Sequence, residues 1–567
     1  MFGLHGADLF VIFLYLLLTV GIGFYTSRMV RDLSSFVMPR RFGKFTMIMF
    51  SFGSGTSSDQ AVSVASKSFT NGLSGIWYQW LYLFATPFYW LIAPVMRRFR
   101  AITMSDVFEA RYNRSVGILY GGIAVVNLAV MIGLMLKGSS AVIEAGTGGS
   151  VPEAWAIVLM AVLFVAYGIA GGLSAAIITD LLQGVLTIAF SVMLLPLVLG
   201  AVGGMSGMRA AIDNPEMMSL VAPGEIGVFY ILIIAFNGLV GIVAQPHILS
   251  NCAAGRTELD GAWGFMGGNL VKRFCTVAWS IIGLAALAYY GSAGIDPDQI
   301  FGRVARDFLS PLMPGLVGLF LSALIASVMS SCDAFMVAGA GLFTGNIYKP
   351  LAPNLTDRHY VGIVRMASLF TVAGGLGFAY WVPGVIDALE IFWKVSPMMG
   401  IAFWMGLLWR RANANGAWAS TLTALFAWWI SAQGFFVDWV STWSICEPLR
   451  LVFVQAGQPE IHLPWQMVFY TTAGLAAGVI ASLATKPLPD TKVDHFYALA
   501  RTPVTPGEAV DFPCTLPPNA QVPPARILFP STSLVIPIPS RVAVAGFLVG
   551  WLFVILIIGG TWMLTQL

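Results

Sequence analysis

The sequence predicts an all-α integral membrane protein with about 14 transmembrane helices, at about 20 residues per crossing. Three observations carry that prediction. Of 567 residues, 57% are hydrophobic and 10% are charged, against roughly 25% charged in an ordinary soluble domain. Apolar runs of spanning length recur along almost the whole chain. Arginine and lysine also gather in alternate loops, as a chain threaded back and forth through a bilayer requires. A soluble fold of this size has no way to hide so much apolar surface, so lipid must solvate much of it.

The runs lie near 9–27, 45–69, 72–96, 115–146, 152–170, 173–203, 226–252, 264–292, 311–345, 359–382, 385–409, 415–437, 464–486 and 541–565. The first follows Asp8 and precedes Arg28 and Arg31, flanks that fit a spanning helix rather than a cleaved leader. Arg28, Arg31, Arg40, Arg41 and Lys44 fill the first loop; Arg97, Arg98, Arg100, Arg111 and Arg114 fill the third. Arg410 and Arg411 occupy a later loop of the same parity, whereas the loops at 204–225 and 438–463 carry Asp213, Glu216, Glu447 and Glu460. The positive-inside rule then puts the first loop in the cytoplasm and both termini outside, in a multi-pass protein of the plasma (inner) membrane. Residues 438–463 become an external insertion, and the proline-rich residues 487–540 an extended cytoplasmic connector.

Several function classes are excluded at this level. A net charge of +3, scattered along the chain, does not suggest nucleic acid. Cys252, Cys275, Cys332, Cys446 and Cys514 lack metal-type spacing, so neither a zinc site nor a disulfide framework is expected. No GxxxxGK[ST] phosphate loop accompanies Gly171-Gly172, which leaves ATP-driven transport unsupported. No nucleophile–base or metal-ligand constellation marks an enzyme, and no cofactor is expected.

Two local patterns point to chemistry. Phe50 to Ser68 reads FSFGSGTSSDQAVSVASKS, with Gly53, Gly55, Thr56, Ser57, Ser58, Asp59 and Gln60 in one cluster. A continuous lipid-facing helix would not tolerate this, since each unsatisfied polar group costs several kcal/mol in hydrocarbon. Unwound backbone at that depth is acceptable where it lines a cavity, and transporters use it to offer carbonyls to sodium and half-helix ends to substrate. A small-residue packing seam is the plainer reading, but a seam does not require the carboxylate of Asp59. Further on, Ser327, Ser330 and Ser331 fall at i, i+3 and i+4 on one helical face, with Asp333 on an adjoining face. Hydroxyls and carbonyls suit a hard cation, so this face is a candidate second half of one ion site.

These residues, with several further blocks, resemble the sodium:solute symporter family, which includes sodium–glucose, sodium–proline and sialic acid symporters. The blocks are Gly171-Gly172-Leu173-Ser174 with Thr179-Asp180-Leu181-Leu182-Gln183, then Gln245-Pro246-His247-Ile248-Leu249, Met329-Ser330-Ser331, and Asn346-Ile347-Tyr348-Lys349 with Asn in place of the usual Asp. The resemblance runs from the first helix through Trp409-Arg410-Arg411 and Gly416-Ala417. It implies a LeuT-type core of five-plus-five inverted repeats, here 45–203 and 226–409. Residues 1–44 would precede the core, 204–225 would link the repeats outside, and 410–567 would follow. Broken helices are then expected near Ser57–Gln60 and Asn237–Gly241. The family's sodium site would use backbone oxygens at Ser57, Gln60 and Ser327 with the Ser330 and Ser331 hydroxyls, and Asp180 would lie on the inward release path. Some relatives hold an additional sodium with hydroxyls just after the serine pair; Asp333 and Ala334 stand there, which argues against that arrangement. Asn237 matches a substrate-contacting asparagine of the sugar symporters, but Val240 replaces their gating tyrosine, so sugar specificity does not follow.

Other residues admit plainer roles beside functional ones. Lys137 either faces the cavity, pairing a substrate carboxylate or Asp59, or snorkels toward the outer boundary. Glu390 and Lys394 form an i, i+4 pair on the plain reading and a cavity contact on the functional one. His247 is expected to be a structural helix-end residue. Trp77, Tyr78, Trp80, Tyr82, Tyr89 and Trp90 are expected in the core or the interfacial belt, with an aromatic lid as the functional option. The expected activity is sodium-coupled symport of a small polar solute (sugar, amino acid or carboxylate) by a monomeric transport unit. Proton coupling through Asp59, Asp180 and Asp333 is the rival within transport. A transporter-like sensor signalling through 487–540 is the rival of another class. Asp59 points to an amine or hydroxylated solute, Lys137 to a carboxylate.

Overall fold

A computed structural model describes residues 3–27, 40, 42–222, 225–292, 294–455, 457–505, 507–508 and 512–566, excluding the side chains of 19, 20, 22–27, 166–183, 357 and 455. Helix α1 (Gly6–Ser27) precedes two half-helices, α2 (Lys44–Ser54) and α3 (Ser58–Asn71). Helices α4 (Thr86–Arg98), α5 (Arg114–Gly146) and α6 (Glu153–Ala201) follow. A second pair of half-helices, α7 (Val228–Ile242) and α8 (Ile248–Ala253), leads into α9 (Glu258–Tyr290) and α10 (Leu316–Leu342). Then come α11 (Asp357–Trp381), α12 (Val385–Leu408) and the packed pair α13 (Ala414–Ser431) and α14 (Leu463–Ala484). Helix α15 (Asp490–Arg501) lies in the connector, and α16 (Arg541–Leu564) is the last span. The runs expected at 152–170 and 173–203 form one unbroken helix, α6.

Among the described residues, eight helices are long and apolar enough to cross a bilayer by length and composition. The count falls below the expected one partly because broken helices split a crossing into two short pieces. Thus α2 and α3 have 11 and 14 residues, and α7 has 15, each under the roughly 17–25 of a continuous span. Helix α16 turns Leu548, Leu552 and Ile555 outward, as a lipid-facing span should.

Both breaks differ in place from the sequence expectation. The first covers Gly55 to Ser57, and Ser58–Gln60 already form the first turn of α3. The second is not at Asn237–Gly241, where α7 stays helical, but at Val243–His247. Pro246 explains this: it has no N–H to donate, and it biases Gln245 away from the helical region. Gly238 and Gly241 serve close packing instead. A Cβ on either would lie 3.2 Å from Tyr82 or Pro397.

The two long loops are also more ordered than expected. The 438–463 insertion holds a hairpin, Val452–Gln455 paired with Gln458–Ile461, over a small core of Phe436, Val437, Val440, Leu451 and Ile461. The connector is not simply extended. Its helix α15 buries Val493, Phe496, Tyr497 and Leu499, and the segment after it is tied to the ends of α4 and α12.

Candidate functional site

The last carbonyls of a helix have no intrahelical donor, and at the end of α2 they are claimed from two sides. The Ser331 hydroxyl donates to the Gly53 carbonyl at 3.3 Å, and the Ser327 hydroxyl to the Thr56 carbonyl at 2.7 Å. The intervening Gly55 carbonyl faces the other way. It accepts from Gln60 Nε2 at 2.6 Å and from the Lys272 ammonium. The carbonyls can diverge in this way because Gly55–Ser57 lies outside both half-helices, so helical geometry does not hold them parallel. The carbonyls facing the α10 hydroxyls are therefore those of Gly53 and Thr56, not those of Ser57 and Gln60. The Ser57 carbonyl accepts from the Gln60 amide at 3.1 Å, and the Gln60 carbonyl from the Ser63 hydroxyl at 3.1 Å, both within α3. The donor set around Gly53 and Thr56 is wholly hard oxygen, with Ser330 buried beside it, which fits sodium.

On the Lys272 side lies a cavity of ≈ 60 Å³, room for roughly four waters. Asp59, Gln60, Gln79, Gln245, Asn269, Lys272 and Arg273 line it, with Leu389, Phe392 and Trp393 along another wall. Asp59 accepts from the Ser57 hydroxyl and interacts electrostatically with Lys272. Six polar atoms of lining residues are buried without a partner among the described residues: Ser51 Oγ, Gln60 Oε1, the Tyr89 hydroxyl, His247 Nδ1, Arg273 Nε and Trp393 Nε1. Buried polar groups are paired in nine cases of ten or more, so their convergence on one cavity marks a place for a polar ligand.

Residues 35–424, more than half of the chain, match the Sodium:solute symporter family. The chain belongs to this family. It is 26% identical over 429 residues to the osmoregulated proline transporter OpuE of Bacillus subtilis, covering 72% of this chain and 85% of that one. It is 21% identical over 462 residues to the sodium/glucose cotransporter of Vibrio parahaemolyticus, covering 73% and 83%. The solved structure of a Na+-coupled sialic acid symporter superposes with a TM-score of 0.70 at 17% identity, covering 85% of this chain and 98% of that chain. The last likeness establishes the shared transporter fold. The protein is thus a membrane transporter of a sodium-coupled symporter family.

Within this family fold the candidate residues part company. Asp59 and Gln60 line the cavity, whereas Asn237 does not. Its amide donates to the Trp393 carbonyl at 3.0 Å and its oxygen accepts from the Tyr470 hydroxyl at 2.6 Å, which makes it a strut between helices. Lys137 is also outside the cavity, paired with Glu153 at 2.7 Å. Glu390 accepts from the Tyr78 hydroxyl at 2.9 Å rather than pairing with Lys394. The side chain of Asp180 lies outside the described residues, as do the other side chains of the Gly171–Gln183 block. Asp333 is fully buried, with both carboxylate oxygens unpartnered among the described residues. His247 does stand at the start of α8, yet its ring also reaches the cavity.

Aromatic residues close the Asn71 side. Tyr230 donates to the Tyr78 hydroxyl at 3.3 Å, Tyr78 packs on Trp393 at 5.0 Å between centroids, and the Lys67 ammonium sits 4.8 Å from the Tyr78 ring centre. Asp298 ties α3 to α12, accepting from the Ser66 hydroxyl at 2.8 Å and the Val385 amide at 2.9 Å. The residues missed from sequence are Lys272 and Arg273. Two adjacent cations inside the apolar run 264–292 were the available signal, because intramembrane charge is rarely idle.

Proposed function

We propose that this chain couples inward sodium movement to uptake of a small polar organic solute carrying a carboxylate. The observation that carries this reading is the set of six unpartnered polar atoms around one cavity, with Lys272 and Arg273 against a single acid, Asp59. An anionic group would meet the two cations, and an amine or hydroxyl on the same solute would meet Asp59 and Gln60. Lys137 does not enter the reading, since Glu153 already engages it. A proline transporter among the relatives supports the carboxylate.

Sodium would bind at the Gly53 and Thr56 carbonyls and the Ser327, Ser330 and Ser331 hydroxyls. It would hold the Gly55–Ser57 break in one shape, and so fix the Gly55 carbonyl that positions Lys272 and Gln60 in the solute cavity. Sodium and solute affinities are then reciprocally linked. Rocking of 45–203 against 226–409 would expose the cavity alternately, with the Tyr78–Tyr230–Glu390 cluster as the outer closure. Inward passage of each sodium gains about 2.3 kcal/mol per 100 mV.

Uptake into proteoliposomes tests this. A sodium gradient drives accumulation in the native protein, and the Ser327→Ala/Ser331→Ala variant raises the sodium concentration for half-maximal uptake at least tenfold. Uptake indifferent to sodium, and unchanged in that variant, overturns the reading. Asp333, buried with no partner among the described residues, favours one competitor, proton coupling. Accumulation driven by a pH gradient without sodium, abolished by Asp333→Asn, would establish it.

A further inference from the structure

A second cavity, larger than the solute cavity, lies apart from it. It has a volume of ≈ 490 Å³ and lies at the basic ends of α4 and α12, roofed by α15 and the proline-rich segment after it. Its walls are apolar, built from Phe88, Leu91 and Val95 of α4 and Trp404 and Leu407 of α12. Arg98, Arg501 and Arg526 also line it, and among the described residues no acidic residue does. Arg98 is engaged with Glu258 at 2.7 Å. Arg501 is different: its Nε is buried without a partner among the described residues. Arg526 is exposed, and its carbonyl is occupied by the Ile538 amide at 2.9 Å.

The roof is fastened on both sides, so the cavity is a built feature rather than a gap under a loose loop. On the α4 side, Arg100 donates to the Thr502 carbonyl at 3.2 Å and the Pro503 carbonyl at 3.0 Å, and pairs with Glu508. On the α12 side, the Val535 amide donates to the Leu408 carbonyl at 2.7 Å, and the Arg410 amide to the Ser533 carbonyl at 2.8 Å. The Tyr497 hydroxyl reaches the Gly406 carbonyl at 3.1 Å.

We infer that this cavity binds one anionic phospholipid from the leaflet on the basic side. An acyl chain would run between α4 and α12 while the phosphate meets Arg501 and Arg526. The argument is one of complementarity. The volume falls within the range of small-molecule sites, the walls match hydrocarbon, and the uncompensated charge at the mouth matches an anionic headgroup. A water-soluble organic anion would leave the apolar walls bare, and a neutral lipid would leave the Arg501 guanidinium unanswered. The bound lipid would wedge between α4 and α12, which belong to opposite repeats.

Native mass spectrometry of the full-length protein tests the inference, after exchange into detergent micelles doped with equal phosphatidylglycerol and phosphatidylcholine. One phosphatidylglycerol per chain is expected to survive at activation energies that strip phosphatidylcholine. Arg501→Gln/Arg526→Gln is expected to weaken that retention roughly 30-fold, the effect of two basic residues at a lipid surface. Ala500→Trp obstructs the cavity while leaving every arginine in place, and should markedly weaken retention too; both variants are checked for an unchanged elution volume. Equal retention of the two lipids by the native protein overturns the inference. Retention unchanged by Ala500→Trp also overturns it, because the lipid would then sit on the outer surface.

Discussion

Replacing Lys272 by methionine separates the proposed role of this residue from simple structural support. The ammonium is buried, donates to the Gly55 carbonyl and lies near Asp59. A charge-assisted hydrogen bond contributes about 1.5–3 kcal/mol, and a neutral one about 0.5–1.5 kcal/mol. Loss of the lysine should therefore weaken a carboxylate solute by about 10- to 150-fold, and its primary amide, which offers the ammonium no opposite charge, by a smaller factor. The preference for carboxylate over amide should narrow accordingly. The single variant also strands Asp59 without its counter-charge, at about 3–5 kcal/mol of stability, which threatens folding. Lys272→Met/Asp59→Asn removes both charges and should recover the thermal midpoint without recovering the preference. The assay is thermal-shift titration in detergent, using the carboxylate selected from a screen of amino acids, sugars and organic acids, together with its amide. Equal losses for acid and amide, or carboxylate affinity restored in the double variant, would refute the assignment of Lys272 to the solute.

Other perturbations address the surrounding scaffold. A Cβ at Gly138 would stand 2.5 Å from the Asp59 Cα, so α5 must move by about 1 Å. Gly138→Ala should lower stability by about 1–3 kcal/mol and slow uptake, whereas Gly122→Ala, with nothing within 4 Å, should do neither. Tyr78→Phe removes the hydroxyl that bridges Tyr230 and Glu390, and should raise outside accessibility of a cysteine at Leu389, read by thiol labelling. Burial pulls the Glu508 carboxyl upward, but the Arg100 guanidinium and the Thr505 amide outweigh it and leave it below the usual carboxylate range. Docking of the roof segment is then fully supported above about pH 4.3, the unfolded value, and is lost as pH falls through the lower folded value. Limited proteolysis within 502–540 should accelerate in acid, and should be fast at neutral pH in Arg100→Ala.

The face that would supply the proposed ion site was legible in the sequence, and the reason is chemical. Serines at i, i+3 and i+4 declare a shared face through spacing alone, and Ser327 and Ser331 do reach the broken helix. Asp59 stood out because a carboxylate at membrane depth needs a reason. Which carbonyls meet those hydroxyls, Gly53 and Thr56 rather than Ser57 and Gln60, was not legible, because carbonyl direction depends on local φ and ψ, which side-chain identity does not encode. Asn237 misled for the opposite reason. Its side chain could serve a ligand or a neighbouring helix, and only the positions of Trp393 and Tyr470 decide between them. Lys137 was ambiguous on the same ground, since Glu153 lies beyond its own helix.

The alternation of the carbonyls at the first break bears on how two ligands come to share one equilibrium. Gly53 and Thr56 present oxygen to α10, while Gly55 presents it to Lys272 and Gln60. These groups belong to four consecutive residues, so one peptide unit cannot turn without disturbing its neighbour. A cation that fixes the Thr56 carbonyl also fixes the Gly55 carbonyl, and with it the two side chains that would meet the solute. A continuous helix would have spent all three oxygens on its own amides. On the proposed reading, the break would supply both the ion ligands and their mechanical link to the cavity. Coupling then needs no long-range path, and its strength should respond to backbone freedom at this point. Gly55 has φ −103° and ψ 0°, which alanine can adopt, with its Cβ 3.0 Å from the Ser51 carbonyl. Gly55→Ala should therefore keep the fold yet change how often the binding shape of the break is populated, which shifts sodium and solute affinities by the same factor in separate titrations. Independent shifts in the two affinities would show that the ion and the solute are linked elsewhere.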